Sequence, residues 1–344
     1  MGVRRRHHAT AACAPRGSRA RHRHPRRHRP PRGQGRPAPE LQPARPAVTA
    51  ERPPNATAGI LPAWSEPFLR ERLPELTRRR PFETAAPEWF GSKGEGVTVA
   101  IVDSGVEGDH PAIGGRLIAS VRVEMDDEDE PVVIDDNSID VVGHGTACAG
   151  IIHALAPSAD LVSVRVLGKK NTAKGIAFAR GLHWVVEQGI GVANLSLSSG
   201  SEELFAEFHE LADRAYFENT VLVCAASNTP GRSSYPSLFS SVISVAAHDS
   251  PDPLTWYYNP RPPVEFGARG VDVPVAWRGG ASIMGTGNSF ATPHITALVA
   301  RIRATYPDST PFEVKALLAA TAATPPQRST GRSRRSPHSA QEPS

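Results

Sequence analysis

Val97-Thr98-Val99-Ala100-Ile101-Val102-Asp103-Ser104-Gly105 is the stretch on which the fold of this chain turns. Its apolar run is continuous and rich in β-branched residues, which suits a strand covered on both faces, and Asp-Ser-Gly ends it in a turn. Similar runs recur at 161–167, 192–197, 221–226 and 242–247. Between them, 146–156, 172–187 and 202–218 have helical character, and an apolar helix follows Ser289. Strands alternating with helices predict an α/β protein of three layers, a mostly parallel sheet with helices on both faces. Functional groups in such sheets gather beyond the carboxyl ends of strands. Asp103 stands at one such end and Asn228 just past another.

The formal charge of +4 over 344 residues is unevenly placed. Residues 1–46 hold thirteen Arg and one acid, Glu40, while residues 325–344 hold four Arg against Glu342. Removing both ends leaves an acidic middle. Residues 1–58 and 325–344 are predicted to be disordered tails, because Arg, Pro, His and Ser offer too little apolar surface to offset chain entropy. Residues 59–95, with Trp64, Phe68, Leu73 and Trp89, are predicted to pack on the core as a connector, a short helix plus extended chain. The remaining unit is 96–324.

The Arg-rich start has no interleaved aromatic side chains for base stacking, so no nucleic-acid partner is expected. No apolar run is long enough to span a membrane, and no export signal is visible, which favours the cytoplasm; a missing true N-terminus would instead make the protein secreted. Three cysteines, Cys13, Cys148 and Cys224, do not make a disulfide framework. Cys148, four residues after His144, could share a helical face with it, but no further ligands stand at suitable spacing. No metal and no cofactor are expected.

Three remote segments carry an acid, a base and a hydroxyl: Asp103 at its strand end, His144 in Gly143-His144-Gly145-Thr146-Ala147-Cys148, and Ser289 in Gly287-Asn288-Ser289-Phe290-Ala291-Thr292-Pro293. Each alone has an ordinary meaning: a turn Asp, a capping His, an N-cap Ser. Together they are what acyl transfer by a serine requires.

In that order, from about 96 to 323, the chain resembles the subtilisin-like serine peptidases. The resemblance implies a subtilisin-like fold and serine endopeptidase activity on polypeptides by a monomer. It makes Asp103, His144 and Ser289 catalytic and Asn228 the side-chain donor of an oxyanion hole, a donor worth about 10²–10³ in turnover in subtilisin itself. It also implies that Ser196, Leu197, Ser198 and Ser199 line the substrate and that Ser234 lies at the floor of the first pocket. Serines stand at 198, 199 and 234 where the family has glycines, so a medium apolar side chain is expected before the scissile bond. The calcium-binding loop that many relatives carry before residue 161 is short here. Asn288 replaces the family's threonine, which leaves a catalytically impaired peptide-binding homologue as the alternative.

Overall fold

A computed structural model describes residues 61–73, 88–137, 139–261 and 263–323. Strand β1 (Thr98–Asp103) forms where the opening run predicts it, inside a nine-stranded sheet. Its neighbours, β4 (Asp160–Arg165) and β5 (Val192–Leu195), run parallel to it. Outward from β5 come β6 (Val221–Ala225), β7 (Ile243–His248) and β9 (Phe266–Arg269); outward from β4 comes β2 (Leu117–Met125), all parallel. Antiparallel strands close the edges, β3 (Pro131–Asp135) on β2 and β8 (Trp256–Tyr258) on β9.

The alternation of side chains along β1 explains the layers. Val99 and Ile101 join one core with Cys148 and Ile152 of α1 (His144–Leu155) and Ile295, Leu298 and Val299 of α4 (Asn288–Thr305). Ala100 and Val102 join a second core with Phe178 and Leu182 of α2 (Gly175–Glu187) and Phe208 and Leu211 of α3 (Phe205–Phe217). Each fully buried aliphatic side chain contributes roughly 1.5–3 kcal/mol, so both faces stabilise the sheet. After β4 the chain crosses β1 to lay down β5. That reversal opens a crevice at the carboxyl ends of β1 and β5, and the site lies there.

Several boundaries differ from the sequence expectation. The run 192–197 leaves the sheet after Leu195, and the helices expected from 172 and 202 begin at Gly175 and Phe205, while the one expected from 146 begins at His144. Sequence patterning missed the two outermost strands on each side of the sheet, β3 and β2 at one side and β8 and β9 at the other. It also missed the hairpin of β10 (Val273–Trp277) and β11 (Ala281–Gly285), whose Val273 and Val275 pack on Ala147 and Ile151 of α1. A last helix, α5 (Pro311–Thr321), starts at a capping box formed by Thr310 and Glu313.

Among its described residues the connector carries 3₁₀ turns, at Glu66–Phe68 and Glu88–Gly91, and no α-helix. Its Phe68, Leu73 and Trp89 are fully buried. The predicted tails, 1–58 and 325–344, lie outside the described residues. Asn194, which begins the glycosylation-type sequence Asn194-Leu195-Ser196, is fully buried in β5 and inaccessible to that modification. Among the described residues no helix is long and apolar enough to cross a membrane.

Candidate active site

Asp103 is the last residue of β1 and is fully buried. The Nδ1 of His144 lies 2.9 Å from each oxygen of its carboxylate. With Nδ1–H donating there, Nε2 is left with its lone pair toward the cleft, the tautomer a proton acceptor needs. Burial opposes charge on the His144 ring, but the Asp103 carboxylate and its hydrogen bond outweigh that and raise the pKa above its ordinary value; Asp140 adds to the rise.

Asp140, which sequence reasoning passed over, holds this half of the site together. One of its oxygens accepts from Ser104 Oγ (2.8 Å), Val142 N–H (2.9 Å) and Gly143 N–H (2.6 Å), and the other accepts from the N–H (2.8 Å) and hydroxyl (2.7 Å) of Thr146. An Asp just ahead of a predicted helix was the available signal. The glycines beside His144 have structural reasons beyond small size. Gly143 has φ +116°, and a Cβ on Gly145 would stand 2.0 Å from the Gly105 carbonyl oxygen. Only glycine lets α1 begin this close to the end of β1.

Ser289 is half-buried in the first turn of α4, next to Phe290, whose ring lies 5.2 Å from that of His144. Pro293 lies inside this helix and has no N–H for the Ser289 carbonyl four residues earlier. That carbonyl accepts instead from Ser196 Oγ at 2.9 Å and from the Cys148 thiol at 3.7 Å. Ser289 and His144 line one cleft with Asn228; among the described residues no hydrogen bond joins the Ser289 hydroxyl to His144.

Asn228 follows β6, and its Oδ1 accepts the Asn288 N–H at 3.0 Å. With the oxygen taken, the amide NH₂ is the free end. A Cβ built on Gly287 would stand 3.3 Å from Ser289 Oγ and 3.7 Å from Asn228 Nδ2, so both groups crowd the same glycine. Asn288 is itself fully buried and is not among the residues lining the cleft.

The substrate-side expectations divide. Ser196, Leu197, Ser198 and Ser199 do line the cleft. Ser196 Oγ, however, is occupied by the Ser289 carbonyl and by Asn194 Nδ2, 2.9 Å away. The backbone of Ser199 is paired both ways with Tyr235, at 2.9 and 2.7 Å. The backbone groups of Ser198 have no hydrogen-bond partner among the described residues. Ser234 does not reach the lining; its hydroxyl accepts from Ser227 N–H (3.1 Å) and bonds Ser237 Oγ (2.7 Å). Arg232, unforeseen, lines the cleft with its guanidinium close over Gly200.

Asp103, His144 and Cys148 bring their possible ligand atoms within 4.8 Å of one another. Burial and the nearby Asp103 carboxylate raise the Cys148 thiol well above its ordinary pKa, and its sulfur lies 3.3 Å from Ser196 Oγ. A protonated thiol is a poor ligand, and Nδ1 is engaged by Asp103, so these residues do not suit a metal. Cys148 and Cys224 are both free thiols. Only residues 156–159 separate α1 from β4, which leaves no room there for a long ion-binding loop.

Fold and site together define a hydrolase of the serine endopeptidase class. A profile described as the subtilase family matches residues 94–340. An intracellular serine protease of Paenibacillus polymyxa is 30% identical over 248 residues, covering 68% of this chain and 74% of the relative. Subtilisin Savinase of Lederbergia lenta is 31% identical over 65% of this chain and 82% of its own length. A thermostable alkaline protease of Halalkalibacterium halodurans is 34% identical, over 65% of this chain and 62% of that protein. The crystal structure of a cold adapted subtilisin-like serine proteinase superposes with a TM-score of 0.55 at 25% identity, over 73% of this chain and 90% of the other. The chain belongs to the subtilase family.

Proposed function

We propose that residues 96–324 form an endopeptidase domain that cleaves peptide bonds through an acyl-enzyme on Ser289, with 59–95 as its connector. The observation that carries this is the buried Asp103–His144 pair opening on the cleft that Ser289 and Asn228 share. His144 Nε2 takes the Ser289 proton as Oγ attacks the peptide carbonyl. The Asn228 amide and the Ser289 backbone N–H stabilise the oxyanion. As the C–N bond breaks, His144 returns the proton to the leaving amine. Water, activated by the same imidazole, then releases the acyl group. Asp103 holds the ring in place and stabilises the imidazolium without taking the proton. Contacts between nucleophile and base are commonly loose in ligand-free enzymes and close when substrate binds.

The substrate backbone pairs with Ser198, whose main-chain groups have no partner among the described residues. A medium apolar side chain precedes the scissile bond; a peptide library in which Phe or Tyr clearly dominates at that position would refute this. Asn288 gives no support to the impaired homologue, because its side chain never enters the cleft. An active-site-directed fluorophosphonate should label Ser289 in the wild type and leave Ser289→Ala untouched. Intact, folded wild type that takes no label would end the proposal.

A further inference from the structure

The geometry points to Asn288 as a positioning residue, gripped by the connector, that sets Asn228 for the oxyanion; the inference rests on the catalytic reading above. Asn288 is fully buried, yet every polar group it has is used. Its Nδ2 donates to the carbonyls of Ala63 (2.8 Å), Ala226 (3.1 Å) and Ser227 (3.2 Å). Its Oδ1 accepts from Ala247 N–H at 2.9 Å and from Ser65 Oγ at 3.4 Å. Its own N–H holds Asn228 Oδ1. One side chain therefore joins the residues after β6, strand β7, the start of α4 and the connector.

The connector touches Asn228 from the other side as well, since Ala63 N–H donates to the Asn228 carbonyl at 3.1 Å. Asn228 is thus held at its backbone by Ala63 and at its amide by Asn288. The connector is anchored in turn by Phe68 and Leu73, buried in a small core with Ala246, Tyr257 and Val264. A threonine at 288 has one donor on a shorter arm and cannot serve the Ala63 and Ala226 carbonyls and the Ala247 amide together; a primary amide has two donors and an acceptor. The departure from the family's threonine and the seated connector are two halves of one device. No residue of 61–73 lines the cleft; that segment acts through the Asn228 backbone and through Asn288, whose N–H fixes which end of the Asn228 amide faces the substrate.

The test uses the full chain and a chromogenic peptide anilide, with Asn288→Ala, Asn288→Thr, Asn228→Ala and the double variant Asn228→Ala/Asn288→Ala. Asn288→Ala should lower kcat by about 10–10²-fold and move KM by less than about twofold, with Asn288→Thr between it and the wild type. In the Asn228→Ala background the same change should cost less than about twofold, because its only route to the oxyanion is gone. Equal costs in both backgrounds, or a loss confined to KM, would overturn the inference. Hydrogen exchange supplies a readout independent of turnover. In Asn288→Ala, or in Asn288→Thr if the alanine variant does not fold, amides of 63–65 and 226–229 should exchange about tenfold faster; unchanged exchange overturns the inference whatever the activity. A wild type that neither cleaves nor takes a fluorophosphonate breaks the peptidase proposal, while exchange still decides the role of Asn288.

Discussion

The two sides of the cleft are held by different means. On the acid–base side, Asp103, Ser104, Asp140, His144 and Thr146 lie within 44 positions of one another, and side chains bonded to one another and to nearby N–H groups do the holding. On the nucleophile side, Asn228 and Asn288 are fixed by carbonyls and amides from Ala63, Ala226 and Ala247, with sequence separations as large as 225. The first side depends on local loop chemistry; the second exists only when the whole sheet and the connector are in place. Damage should therefore spread differently from the two sides.

The largest effect expected is on turnover. Asp103→Asn should lower kcat by about 10⁴-fold with little change in KM, because the ring loses the partner that fixes its tautomer. Asn228→Ala should cost only about 10²–10³. Steady-state kinetics on one peptide substrate checks both, and similar losses would erase the distinction between charge-based and dipole-based support. Next comes stability on the acid–base side. Asp140→Ala strands five donors and should destabilise the fold by about 3 kcal/mol, seen as a fall in the urea midpoint. A loss under about 1 kcal/mol would show that Asp140 is not the organiser of this loop.

Titration separates the sides again. Burial drives His294 and His248 to about 4, below the ordinary 6.5. Each is neutral when folded and binds a proton when unfolded between those values, so stability falls as pH drops from about 6.5 towards 4, by on the order of 3 kcal/mol per histidine at most. His294→Gln should flatten that fall in acid unfolding curves. His144 behaves oppositely: with its pKa raised, kcat/KM should begin to fall, as pH is lowered, above the ordinary 6.5. An acid limb below that value would mean that Asp103 does not dominate the ring's environment. The smallest effect is at Arg232, which has no side-chain partner among the described residues. Arg232→Ala should lower cleavage of peptides with acidic side chains by a few-fold, less so in high salt.

Much of the fold was legible because β1, β4, β5, β6 and β7 are buried on both faces, and such strands announce themselves as unbroken apolar runs. The outer strands β2 and β3 mix exposed charge with half-buried residues, so their pattern was too diluted to read. Asp103, His144, Ser289 and Asn228 were found because short motifs surround them. Asp140 and Asn288 were not assigned their roles, since what matters is which distant backbone groups meet them. The pairing of Ser199 with Tyr235, and of Ser234 with Ser227 and Ser237, was not read for the same reason: neither partnership leaves a local trace.

Pro293 carries a consequence for how this chain can change. By denying α4 one internal bond, it makes the hydroxyl at 196 the main partner of a carbonyl beside the reactive serine, which would otherwise keep only the weak, longer contact from the Cys148 thiol. Positions 196 and 293 should therefore drift together among descendants of this sequence. A variant that restored an ordinary residue at 293 would set 196 free to vary, and with it the wall of the cleft.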